Sequence, residues 1–151
     1  MEQLTSSGKI TVSWHHRVLR CRDAFRTEGS ALAGLFETEE GPSRVLVVID
    51  AGLDAAQPEL AANVMHWMQQ HPDAVTPSGS PMIVLGGEQA KQDHVVFDQV
   101  AQAVHQRRIC RQSYILAIGG GAMLDAVGLA AATAHRGVRL VRLPSTTLSQ
   151  A

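Results

Sequence analysis

Four short stretches carry residue types suited to an anionic, hydroxyl-rich ligand: Asp50-Ala51-Gly52, Gly87-Glu88-Gln89-Ala90-Lys91, Gly119-Gly120-Gly121 and Ser145-Thr146-Thr147. The triple glycine is the strongest of them. A strand followed by glycines and then a helix presents backbone N–H groups to an anion, and glycine lacks the Cβ that would hold a diphosphate away. A tight turn is the competing reading. Ala122 follows, and then Asp125, on the first turn of the next helix, where it either accepts from a ligand hydroxyl or complements the positive helix end. Glu88 suits ribose hydroxyls and Lys91 a hydroxyl or phosphate oxygen; both could equally be the solvated first turn of a helix. Ser145, Thr146 and Thr147 offer hydroxyls that donate to a carboxamide, or an N-cap.

Arg136, before Gly137, has the planar fork that suits phosphate; a solvated cation at a helix end is the alternative. The seven histidines show no HExxH or paired i, i+4 spacing, so no metal site is expected in this stretch of chain. No nucleophile elbow, Walker lysine loop or Cys–His signature occurs.

These stretches must be placed by the elements between them. Val45–Ile49, Met82–Leu85, Tyr114–Ile118 and Val138–Leu143 are apolar, β-branched runs of the kind buried on both faces of a parallel sheet. Helical spacing predicts helices from about Pro58 to Pro72, Lys91 to Arg107 and Ala122 to Ala134. Asp73–Ser80 reads as a turn-rich linker. Lys9–Phe25 alternates apolar and polar residues, which predicts one or two strands, turning near His15-His16. Residues 26–43 read as a loop with a short helical turn. Strand and helix therefore alternate, the order of a parallel α/β sheet with helices on both faces and an N-terminal β-hairpin or edge strands. In such a sheet every strand end of one polarity lies on one edge, so the four stretches should converge there.

The chain has 151 residues, 45% apolar and 18% charged, with a formal charge of −1. One ordinary domain with a real core fits those values, and no basic stripe points to nucleic acid. Residues 1–43 and 44–151 are expected to form that domain together. Cys21 and Cys110 lie outside any CxxC pattern, which reads as free thiols in a reducing cytoplasm. No signal-peptide core and no membrane-length apolar run appears.

Leu85–Lys91, Gly119–Gly128, Ala131–Gly137 and Pro144–Gln150 in this order and spacing resemble the N-terminal half of dehydroquinate synthases and related sugar-phosphate cyclases. The resemblance covers about Val45–Ala151. It implies a Rossmann-like NAD-binding region that precedes a C-terminal helical, metal-binding domain not contained in this chain. It implies NAD contacts for Asp50, Gly87, Glu88, Lys91, Gly120, Gly121, Ala122, Asp125, Ser145, Thr146, Thr147 and Leu148, and a substrate-phosphate role for Arg136. Gly52 and Leu124 stand where the family often has asparagine and glycine. The implied activity is that of a lyase: a sugar phosphate loses phosphate and closes to a carbocycle, with transient reduction of NAD. A divalent metal such as zinc is expected in the full-length protein only. Its ligands and the catalytic residues are expected beyond Ala151. The stretch alone is expected to be inactive, and a homodimer is implied. Two rivals stay open: an iron-dependent alcohol or glycerol dehydrogenase, and a non-catalytic nucleotide-binding module.

Overall fold

The computed structural model describes residues 8–11, 13, 16–21, 23–25, 31–36, 41–91 and 94–147. Its centre is β1 (Ser43–Asp50), whose run of valine, leucine and isoleucine is buried along almost its whole length. β4 (Tyr114–Gly119) lies parallel to β1, with Val45 opposite Tyr114 and Ile49 opposite Ile118. β5 (Arg139–Pro144) continues the sheet beyond β4, with Gly119 opposite Pro144. The other side of β1 is shared by two short strands. β2 (Val75–Pro77) pairs its start and β3 (Met82–Val84) pairs its end. All these pairings are parallel, as continuous apolar runs predict.

Period-two alternation along β1 and β4 splits the core into two layers. Leu46, Val48, Ile115 and Ala117 face α3 (Val95–Gln106) and α4 (Gly121–Thr133). Val45, Val47, Ile49, Leu116 and Ile118 face α2 (Leu60–Gln70), which contributes Leu60, Val64, Trp67 and Met68. Trp67 is fully buried and meets Phe25 edge-on at 6.0 Å, and Phe36 meets the Tyr114 ring at 5.1 Å. Helices therefore cover both faces of the sheet.

The chain leaves β1 toward β3 on one side, and then crosses through α3 to β4 on the other. That reversal makes the carboxyl ends of β1 and β4 a topological switch point, the usual ligand crevice of an open parallel sheet.

Several expectations need correction. A six-residue helix, α1 (Ala51–Ala56), follows β1 directly; Gly52 masked it in the sequence. Part of the expected linker at Asp73–Ser80 is β2, because ladder bonds to β1 hold even a strand ending in proline. The third helix starts at Val95 rather than near Lys91. Gly87–Lys91 is a separate 3-10 turn, and His94 takes a left-handed conformation at φ 55° that ends any continuity. No described residue between Lys9 and Phe25 is in a strand, and Ile10 and Val18 are solvent-exposed. Alternation there supplies an apolar side, but no sheet edge receives the described residues of that segment. The expected turn includes His15, which lies outside the described residues. The short helical turn expected in residues 26–43 is the 3-10 turn Ala33–Leu35.

Candidate active site

Asp50 is the last residue of β1 and only 8% exposed. Its Oδ1 accepts from Gly52 N–H at 2.8 Å and Leu53 N–H at 3.3 Å, capping α1. The carboxylate is thereby held between the strand ends. Register places Asp50 opposite Val84, two residues before Gly86 in β3's exit loop, and puts Ile49 opposite Ile118, next to Gly119. A methyl group at Gly86 would overlap the Asp50 carboxylate, and one at Gly119 would stand 2.6 Å from Asp50 Cβ. Both glycines exist so that three strand ends can close around one carboxylate.

Gly120 is different. Its backbone is extended, at φ −79° and ψ 165°. A methyl there would lie 3.5 Å from Thr146 Cγ2 and 3.9 Å from Asp50 Oδ2. Those are ordinary contact distances, so the fold itself has room for a side chain. That room opens between the β4 and β5 loops, which are joined by a bond from Ser145 N–H to Gly119 O at 2.9 Å. Gly120 is also the N-cap of α4 and makes no side-chain cap bond. The N–H groups of Gly121, Ala122 and Met123 open the helix and have no partner within it, since the first bond back to Gly120 O comes from Leu124. A cluster of backbone donors at the end of a 13-residue helix, beside a gap without a Cβ, is suited to a diphosphate.

The Gly87–Lys91 turn stands at the same rim. Gly87 takes φ 60°, and Ala90 is buried in the same core layer as Met123 and Leu124 of α4. Glu88 is exposed at the start of that turn; Lys91 ends it, and its side chain is not among the described atoms. Thr146 and Thr147 are exposed past β5. Leu148 lies outside the described residues. Asp125 sits on the second turn of α4 rather than the first, and its Oδ1 accepts from Arg142 Nη2 at 2.8 Å. The structure thus gathers Asp50, Gly87, Glu88, Gly120, Gly121, Ala122, Ser145 and Thr146 at the carboxyl edge. Gly86 and Arg142 belong there too, although sequence reasoning did not single them out, whereas Gly119 is part of the triple glycine already noted. The Gly-Gly doublet at a strand end was the available signal for the first.

Arg136 is not brought to this rim. It lies between α4 and the start of β5, at the amino edge of the sheet. A strand of six residues separates the two edges by about 20 Å. There Cys110, Arg111, Gln112, His135, Arg136, Gly137 and Arg139 line an open cavity of about 860 Å³. His135 and Arg136 both take left-handed conformations, at φ 49° and 68°. The Cys110 thiol in this cavity is held below the ordinary thiol range, mainly by the Ser113 hydroxyl at 3.4 Å from Sγ. Among the described residues no group of His, Cys, Asp and Glu side chains is arranged to hold a metal ion.

Residues 81–151 match the family model for the 3-dehydroquinate synthase N-terminal region. The chain is 34% identical over 115 residues to the 3-dehydroquinate synthase of Bartonella tribocorum, covering 71% of this chain and 26% of that protein. It is 42% identical over 67 residues to the 3-dehydroquinate synthase of Shouchella clausii, covering 44% and 18%. Among solved structures it resembles ValA, a 2-epi-5-epi-valiolone synthase from Streptomyces hygroscopicus subsp. jinggangensis 5008 with NAD+ and Zn2+ bound. That likeness has a TM-score of 0.62 and 26% identity over 88% of this chain and 35% of that one. The chain spans about a fifth to a quarter of the length of these two 3-dehydroquinate synthases. With motif order, sheet topology and these likenesses in agreement, the chain belongs to the 3-dehydroquinate synthase family and carries part of its N-terminal region.

Proposed function

We propose that this chain is the NAD-binding part of a sugar-phosphate cyclase. The observation that carries the reading is the crevice at the β1/β4 switch point. There a buried carboxylate, the unpaired N–H groups of α4 and a gap without a Cβ at Gly120 face one space. NAD fits that arrangement. In this reading the N–H groups of Gly121 and Ala122 bind the diphosphate, which α4 favours at its positive end. Asp50, Glu88 and Asp125 accept from ribose hydroxyls, Lys91 supplies a point charge, and Ser145, Thr146, Thr147 and Leu148 hold the nicotinamide side. When bound, NAD supplies reversible hydride acceptance from a ring alcohol. The buried β1 and β4 ends would hold NAD in one place, where it could take up a hydride and return it.

The rest of the activity belongs to the whole protein. The proposed reaction is phosphate elimination from a sugar phosphate and closure to a carbocycle. In that protein a divalent metal such as zinc would polarise the reacting oxygens. The substrate-phosphate role of Arg136 is also a proposal, and it requires a substrate seated in a crevice other than this chain's own, since the two edges of the sheet lie about 20 Å apart. A cytoplasmic location fits the exposed free thiols of Cys21 and Cys110. Among the described residues no helix is long and apolar enough to cross a membrane.

Calorimetric titration with NAD+ tests the binding role. The unaltered chain should bind weakly, Gly121→Val should abolish binding by steric exclusion, and Asp125→Ala should weaken it. Equal binding by all three would overturn the proposal.

A further inference from the structure

We infer that Arg142 is a positioning residue of the dinucleotide site, acting through Asp125; this rests on the NAD-binding reading above. Asp125 is on the outward side of α4, with its side chain 75% exposed. A carboxylate in water at that position samples several rotamers, and a ligand hydroxyl must select one of them. Arg142 lies on β5 opposite Ala117 and two residues before Pro144. Its Nη2 donates to Asp125 Oδ1 at 2.8 Å. The bond is made to one carboxylate oxygen, so Oδ2 keeps lone pairs for a second donor.

The pair also spans two of the loops that form the crevice. α4 begins at the glycine run after β4, and β5 leads into Ser145 and Thr146. Bridging the second turn of α4 to the end of β5 therefore sets the carboxylate against both walls. As an exposed ion pair, at 46% and 75% side-chain exposure, it adds little to folding. Its effect falls on binding, because an already ordered side chain loses less freedom when the ligand arrives.

The test is NAD+ calorimetry on the full chain with Arg142→Ala, Arg142→Lys, Asp125→Ala and the double variant Asp125→Ala/Arg142→Ala, each also melted thermally. Arg142→Ala should weaken NAD+ roughly threefold to tenfold with little change in melting temperature. Arg142→Lys should recover most of that loss, since a single N–H···O bond suffices. The double variant should bind no more weakly than Asp125→Ala alone. If Arg142→Ala binds as the unaltered chain does while Asp125→Ala and Gly121→Val bind less, the positioning role is wrong and the site stands. If Arg142→Ala weakens binding equally with and without Asp125, Arg142 acts by another route and the inference also fails. If Gly121→Val and Asp125→Ala both bind normally, the site and the inference fall together.

Discussion

Replacing Gly86 by alanine should destabilise the protein through a single carboxylate. The added methyl would overlap Oδ1, Cγ and Oδ2 of Asp50. Asp50 is 8% exposed, so it cannot swing into water, and its Oδ1 is already committed to Gly52 and Leu53 N–H. Relief requires the strand ends to part or the cap to break. Overpacking of this kind costs about 1–3 kcal/mol, and loss of an aspartate cap adds about 1 kcal/mol. Together these give about 2–4 kcal/mol, which for a chain of this size lowers the melting temperature by roughly 5–15 °C. Thermal and urea denaturation would measure the loss, and hydrogen exchange should show faster exchange at Gly52 and Leu53. Gly87→Ala is the control: its Cβ meets nothing within 4 Å, so only the left-handed backbone at φ 60° penalises it, by about 1–2 kcal/mol. Because the clash is with the carboxylate, Gly86→Ala should cost little once Asp50→Ala is present. Full additivity of the two changes, or a Gly86→Ala protein that melts with the unaltered one, would refute the reasoning.

Other consequences are simpler to state. Trp67→Ala removes the fully buried ring that joins Phe25 and Phe36 under the sheet and should cost about 3–5 kcal/mol, read by urea denaturation. Cys110 should be alkylated by iodoacetamide faster at neutral pH than its Ser113→Ala counterpart, measured in a Cys21→Ser background. The Ser113 hydroxyl, which accepts from Cys110 N–H at 3.1 Å, lowers the thiol's pKa. The rate advantage should disappear or reverse at a pH where both thiols are fully ionised, because the thiolate of lower pKa is the weaker nucleophile. The same depressed pKa favours the folded state at alkaline pH, and that contribution fades as pH falls through the folded value.

The sheet was legible in the sequence to the extent that its strands are buried on both sides. Val45–Ile49 and Tyr114–Ile118 stand out because no polar residue is tolerated on either face. β2 did not stand out, being three residues long and ending in proline; its existence depends on pairing with β1, which local pattern does not contain. α1 was hidden by Gly52, and the end of helical continuity at His94 depends on a positive φ that is uncommon outside glycine and that the local sequence pattern does not mark. The convergence of the glycine and hydroxyl stretches on one rim was legible, because parallel strands send all their exits to one edge. The same logic sets Arg136 apart: a residue between a helix and the next strand belongs to the opposite edge. Contacts that depend on register, such as Gly86 and Gly119 against Asp50 or Arg142 against Asp125, join residues with no mark of each other in sequence.

The central claim is that the open start of α4 receives the diphosphate of NAD, and Gly120→Ser tests it most directly. Serine is a better N-cap than glycine, and the extended backbone at Gly120 accepts it without strain. Its hydroxyl would satisfy a helix N–H and occupy the gap beside Thr146. The substitution should therefore leave the melting temperature unchanged or raise it, while NAD+ affinity measured by calorimetry falls tenfold or more, about 1.4 kcal/mol. A Gly120→Ser chain that folds normally and binds NAD+ as tightly as the unaltered one would contradict the account.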